Sequence, residues 1–263
     1  MSLNIYLKRR FTFLRNFRIS KIVFLFKHID KILSIYSMNL KINKSDTKKG
    51  KDLFILSSCI NPNDNSTYIN YKQPLSAAER LYQVLDSVNS VRSHFPESRI
   101  VYLDNSNISS DLEKELISVI DDYYNYSQCE IMSEIRKIHN KGIAWSLTNL
   151  LFLLNNFNNY EYETIHFLNG RYCVSKKVVE NKNLLNSNKN LYLKFKKYNV
   201  STIYFMFYNE SKNNVINYFK KAFYYSMMGF SVEDVFAISS MKAYYLKELG
   251  VFGKINGHIN NYE

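Results

Sequence analysis

Four polar segments stand at the ends of apolar runs, and their residue types set the chemistry open to this chain. Asp104-Asn105-Ser106 follows SRIVYL, Asn140-Lys141-Gly142 precedes an apolar stretch, Asn169-Gly170-Arg171-Tyr172 follows ETIHFL, and Glu233 stands in SVEDVF. The planar fork of Arg171 suits phosphate oxygens, because it donates two parallel hydrogen bonds and stays charged at all relevant pH. Gly170 beside it allows close backbone approach. A capping box of Ser231 with Asp234 accounts for one carboxylate of SVEDVF and leaves Glu233 over. Ser57 and Ser58 offer hydroxyls at the end of the first apolar run. Each has a plainer account: an Asx-turn for Asp104, a structural ion pair for Arg171, and a first-turn acid favoured by the helix dipole for Glu233.

The elements that would position these residues follow from hydrophobic periodicity. DLFILSSCI (52–60) is a short apolar run suited to a buried strand. Ser76 with Glu79 makes a capping box, and Ala78, Leu81, Leu85, Val88 and Val91 continue at helical spacing up to Pro96. Residues 98–103 form a second strand. Ser110 with Glu113 makes a further capping box before a helix through Ile120, and residues 121–127 are a short aromatic strand. An apolar helix over 144–154, a strand over 163–168, an Asn-rich surface loop up to Asn190, a strand over 200–208 and mainly helical residues 214–247 complete the order. Alternating strands and helices predict parallel pairing through crossover helices. Functional groups are then expected at the carboxyl ends of the strands.

Residues 1–50 read differently. Apolar positions from Ile5 to Tyr36 recur at mixed spacings of three and four among basic residues, a basic amphipathic helical pattern, and the polar run 43–51 reads as a linker. Asp30 and Asp46 are the only acids before Asp52, so much of the formal net charge of +12 gathers here. Such a helix would lie on an anionic membrane surface or pack against the domain or a partner subunit. The expected division is therefore 1–50 as extension and linker and 51–263 as the folded α/β domain. No apolar stretch reaches the roughly 18 residues a spanning helix needs, and no secretory signal is seen. Cys59, Cys129 and Cys173 show no disulfide or zinc spacing, and His94, His139, His166 and His258 show no ligand spacing. A cytoplasmic protein, peripheral at the inner face of the membrane, is expected. No phosphate-binding P-loop, dinucleotide-binding Gly-x-Gly-x-x-Gly or nucleophile elbow is present.

The order of these pieces resembles a GT-A glycosyltransferase, in which Asp104 would recognise the nucleotide base and Asn140-Lys141-Gly142 would lead into the following helix. Residues 52–257 resemble more closely a group of small bacterial glycosyltransferases of surface polysaccharide and lipopolysaccharide assembly. They share the Ser-Cys strand end, Asp-Asn-Ser, Asn-Lys-Gly-Ile, Asn-Gly-Arg-Tyr, a Ser-x-Glu helix start and Leu-Gly-Val-x-Gly. The resemblance implies a GT-A-like, mostly parallel sheet flanked by helices. It also implies a nucleotide-sugar donor, a glycan or lipid-linked acceptor, and Glu233 as catalytic base. Donor contacts would come from Ser57, Ser58, Asp104, Asn105, Asn140, Gly142, Asn169, Gly170 and Arg171. The Asp-x-Asp that binds Mn²⁺ or Mg²⁺ in such enzymes is missing, so no metal ligand is assigned and metal dependence stays open. Two other readings stand beside this one: a non-catalytic basic protein binding membrane or nucleic acid, and a nucleotidyltransferase. The second lacks its acidic ligands. Nucleic acid is not an expected partner, because no strand interleaves aromatic and basic residues.

Overall fold

The computed structural model describes residues 47–61, 75–129, 132, 135, 141–184, 192–196, 199–227, 230–238, 244–255 and 258–262. The amphipathic segment 1–40 and Asn140 lie outside them.

A seven-stranded sheet in the order β3-β2-β1-β4-β7-β6-β8 forms the centre. Its strands are β1 (Lys48–Ser58), β2 (Arg99–Asp104), β3 (Asp122–Asn125), β4 (Tyr160–Asn169), β6 (Tyr192–Lys196), β7 (Asn199–Tyr208) and β8 (Tyr244–Tyr245). β3, β2, β1 and β4 are parallel, β7 runs against both β4 and β6, and β8 is parallel to β6. The sheet is thus mostly parallel with helices on its faces, as expected. A three-stranded sheet of β5 (Cys173–Val174), β9 (Val251–Ile255) and β10 (His258–Tyr262) lies apart from it in the strand order β10-β9-β5.

Burial on both faces makes β1 apolar without alternation. Leu53 and Ile55 join a core with α3 (Lys141–Asn155), α5 (Lys212–Met227) and α6 (Val232–Ile238). Phe54 and Leu56 join a second core with α1 (Ala77–His94), α2 (Ser110–Ile117) and α4 (Lys176–Leu184). Both capping-box bonds of Ser76 and Glu79 open α1.

Four expectations change. β1 starts at Lys48, inside the run read as a linker, because Lys48–Gly50 pair with Tyr160–Tyr162 and Lys48 shares Asp122 with Arg99. The N-cap of α2 is Ser109, and it makes no side-chain capping bond. The Asn-rich loop contains α4, whose Asn181 anchors the Glu248 carbonyl at 2.9 Å. Residues 214–247 also hold the strand β8. Among the described residues no helix is long and apolar enough to cross a membrane.

Packing between α4 and the sheet includes a buried polar chain. Lys182 Nζ donates to Asp52 at 2.6 Å, Asp52 receives His166 Nε2 at 2.9 Å, and Tyr204 meets His166 Nδ1 at 2.8 Å. An ionised Asp52 only accepts, so neutral His166 carries its proton on Nε2 and takes the Tyr204 hydroxyl on Nδ1. Burial pushes Asp52 up, but its bonds from His166 and Lys182 outweigh that and hold it below the usual carboxylate range. A depressed acid contributes stability above its unfolded value that is lost as pH falls through the folded one. Lys182→Met, which strands a mostly buried carboxylate, is expected to cost about 3 kcal/mol at pH 7. Urea unfolding should show that penalty shrinking below about pH 4.

Candidate functional site

The parallel strands deliver their ends to one edge, and the register fixes who meets whom there. Ser58 pairs with Asp104 and Ser57 with Asn169, so the candidate residues of β1, β2 and β4 stand on adjacent strands, about 4.8 Å apart. The antiparallel β7 enters the sheet at the same edge: Tyr204 pairs with Leu168, and Thr202 lies two residues earlier. Thr202 Oγ1 donates to Glu233 Oε1 at 3.0 Å. That bond brings the first turn of α6 to the edge occupied by Asp104 and Asn169, although Glu233 is distant from both in sequence.

Asp104 makes the Asx-turn its position suggests, Oδ1 accepting the Ser106 amide at 2.9 Å and hydroxyl at 2.7 Å. It is wholly buried, so contact with a ligand requires its cover to move. Burial pushes its carboxyl up to about 6, against the lowering pull of the Ser106 bonds. The Asn105 and Ile60 amides also lower it, yet Oδ2 has no partner of hydrogen-bonding geometry among the described residues. Asn105 is buried too, and its Nδ2 donates to Thr148 Oγ1 at 3.1 Å.

At the end of β4 the chain turns sharply, with the amides of Arg171 and Tyr172 both donating to the Asn169 carbonyl at 2.7 and 3.0 Å. The Gly170 amide bonds the Ser57 carbonyl at 3.2 Å, and Ser87 Oγ holds the Tyr172 carbonyl at 2.7 Å. Asn169 Oδ1 and Arg171 Nε are buried without hydrogen-bond partners among the described residues. An unmade bond at a buried polar atom costs about 1–3 kcal/mol, and a ligand that supplied the missing partners would recover it. Gly170 is also closely packed by the fold itself. A Cβ there would stand 3.0 Å from Tyr102 Cε2 and 3.2 Å from Ser58 Oγ, so these side chains would have to give by a few tenths of an ångström to admit it. Ser58 in turn shares a 2.5 Å hydrogen bond with the buried Tyr102 hydroxyl.

Gly142 lies in the first turn of α3, its carbonyl accepting Ser146 Oγ at 2.7 Å. The structure brings together Ser57, Ser58, Asp104, Asn105, Asn169, Gly170 and Arg171, with Glu233 at the same edge. Sequence reading missed Thr148, Asn149, Tyr102 and Thr202. Only Asn149 left a signal, as an amide inside the apolar run LTNLLFLL.

The end of β4 does not fit a divalent cation. Mg²⁺ and Mn²⁺ take carboxylate oxygens, whereas this turn offers an amide and a guanidinium that repels cations. Among the described residues no three His, Cys, Asp or Glu side chains gather at one point.

No protein-family model matches the sequence, and no curated protein is similar to it. Among solved structures the chain is similar to an active-site mutant of LgtC at 11% identity, covering 75% of this chain and 73% of that one with a TM-score of 0.47. It is similar to the galactosyltransferase LgtC in complex with donor and acceptor sugar analogues at 12% identity, with the same coverage and a TM-score of 0.44. It is similar to the bifunctional glycosyltransferase WbbM at 11% identity, covering 78% of this chain and 40% of that one with a TM-score of 0.45. All three scores lie below 0.5, so the chemistry has to come from this chain's own residues.

Proposed function

We propose that this protein is a glycosyltransferase that moves a sugar from a nucleotide-sugar donor to a hydroxyl of a cell-surface glycan or lipid-linked acceptor. One observation carries the proposal: Asp104 Oδ2 at the end of β2, and Asn169 Oδ1 and Arg171 Nε at the end of β4 on the other side of β1, are buried without hydrogen-bond partners among the described residues, on the edge where Thr202 holds Glu233. The ligand such a site asks for has donors for the two oxygens and an anion for the guanidinium. A nucleoside diphosphate sugar has both.

In the reaction, Glu233 takes the proton of the acceptor hydroxyl as its oxygen bonds the anomeric carbon. The bond from that carbon to the diphosphate oxygen breaks, and the nucleoside diphosphate leaves with the electron pair. Arg171 holds the charge that develops there, in place of a metal. Asp104 recognises the nucleobase once its cover opens. The basic segment 1–40 would bring the enzyme to an anionic membrane surface at the cytoplasmic face, where lipid-linked acceptors are reached.

A thermal-shift screen against UDP, GDP, CMP and dTDP sugars, each with and without Mn²⁺, tests this. A ligand at about 100 times its Kd stabilises by roughly 2.7 kcal/mol, a shift of several degrees for a domain of this size. One nucleotide should shift the protein regardless of metal. Arg171→Ala should weaken it roughly 10- to 100-fold, the worth of a hydrogen bond to a charged group. Stabilisation by polyanions and by no nucleotide would replace the proposal with a binding protein.

A further inference from the structure

Asn149 occupies a costly place. It lies in the middle of α3 among Leu147, Leu150, Leu151 and Phe152, and is wholly buried. Its Nδ2 donates to the Trp145 carbonyl at 2.8 Å and to Ser57 Oγ at 3.2 Å, while Oδ1 has no hydrogen-bond partner among the described residues. The buried Thr148 beside it donates to the Ala144 carbonyl at 2.8 Å and accepts Asn105 Nδ2 at 3.1 Å. Two consecutive helical residues therefore reach two strand ends, β1 through Ser57 and β2 through Asn105. The Ser57 carbonyl in turn receives the Gly170 amide at 3.2 Å, and Arg171 is the next residue. A leucine would suit the apolar surroundings of Asn149 better, so core packing does not account for the amide.

We infer that Asn149, with Thr148, is a positioning residue that fixes the Ser57 and Asn105 strand ends and, through Ser57, the turn carrying Arg171. By accepting from Asn149, Ser57 Oγ is held in one orientation, with its own proton left to donate. This inference rests on the donor-site reading above for what the turn binds, but not for the mechanical coupling.

The test compares Asn149→Leu and the near-isosteric Thr148→Val with wild type in three measurements. Unliganded Tm should stay within a few degrees of wild type, because Asn149→Leu removes an unpartnered oxygen as well as a bond. Hydrogen–deuterium exchange over residues 169–172 should speed up roughly tenfold while α1 and β1 keep their protection. Any nucleotide-sugar that shifts wild type should bind either variant at least tenfold more weakly. A general loss of Tm and protection would overturn the inference by making Asn149 a stability residue. So would unchanged exchange over 169–172. Local exchange that speeds up while wild type binds no nucleotide-sugar would support the positioning role and sink the donor reading alone. Should Asn149→Leu fail to fold, Asn149→Ala, which removes the same bond to Ser57, decides by the same criteria.

Discussion

Glu233→Gln is expected to lower sugar transfer roughly 10²- to 10⁴-fold, the range for loss of a positioned base, while donor affinity stays within about twofold. The glutamine keeps the shape and the Oε1 that accepts Thr202 Oγ1 at 3.0 Å, so the α6 start and its Ser231 cap on Asp234, 3.1 Å long, should survive. What disappears is the capacity to take a proton. Because the change acts on chemistry and not on binding, kcat should fall with little movement in KM for the donor. Thr202→Val, which frees the carboxylate without removing it, should cost less than Glu233→Gln. A Glu233→Gln enzyme that transfers sugar at the wild-type rate would return this carboxylate to the role of a first-turn acid at a helix N-terminus.

Asp104→Asn should make the protein more stable at neutral pH and impair its binding. Burial raises the Asp104 carboxyl from 3.8 to about 6, a gap equivalent to about 3 kcal/mol. The folded-state value is raised, so the carboxyl costs nothing below about pH 4. The cost grows as pH rises through 6 and is complete at pH 7. Asparagine keeps an Oδ1 for the Ser106 bonds and carries no charge. Its Tm should exceed wild type by several degrees at pH 7 and match it near pH 4. His166 works in the opposite sense, since burial lowers its pKa against the pull of Asp52 and stability is lost as pH falls below about 6.5. Both proteins share that contribution, and the difference between them isolates Asp104. A nucleotide shift in wild type that is weakened in Asp104→Asn would tie the carboxylate to base recognition. Equal stability of the two at pH 7 would mean that Asp104 is not strained by its burial.

A sequence that gives up stability in this way leaves traces, and some were legible. The α/β order was readable because β1 and β2 are buried on both faces and α1 on one, so periodicity of two kinds marks them without help from distant residues. Ser76 and Glu79 closed their capping box because both partners lie within one turn. The polar strand ends Asp104 and Asn169–Arg171 could be picked out because apolar runs stop there.

What the sequence could not show depends on partners far along the chain. The first residues of β1 look like a linker until Tyr160–Tyr162 and Asp122 supply their pairing. The antiparallel entry of β7, which brings Thr202 and Glu233 to the strand ends, is a choice of sheet order and leaves no local pattern. The same holds for Asn149, whose amide makes physical sense only against Ser57, 92 residues away, and for Gly170, whose close neighbours Tyr102 and Ser58 are distant in sequence. Secondary structure follows from hydrogen bonds and periodicities within a few residues. The candidate site is an edge made by several strands and a helix, so only their packing could decide which side chains share it.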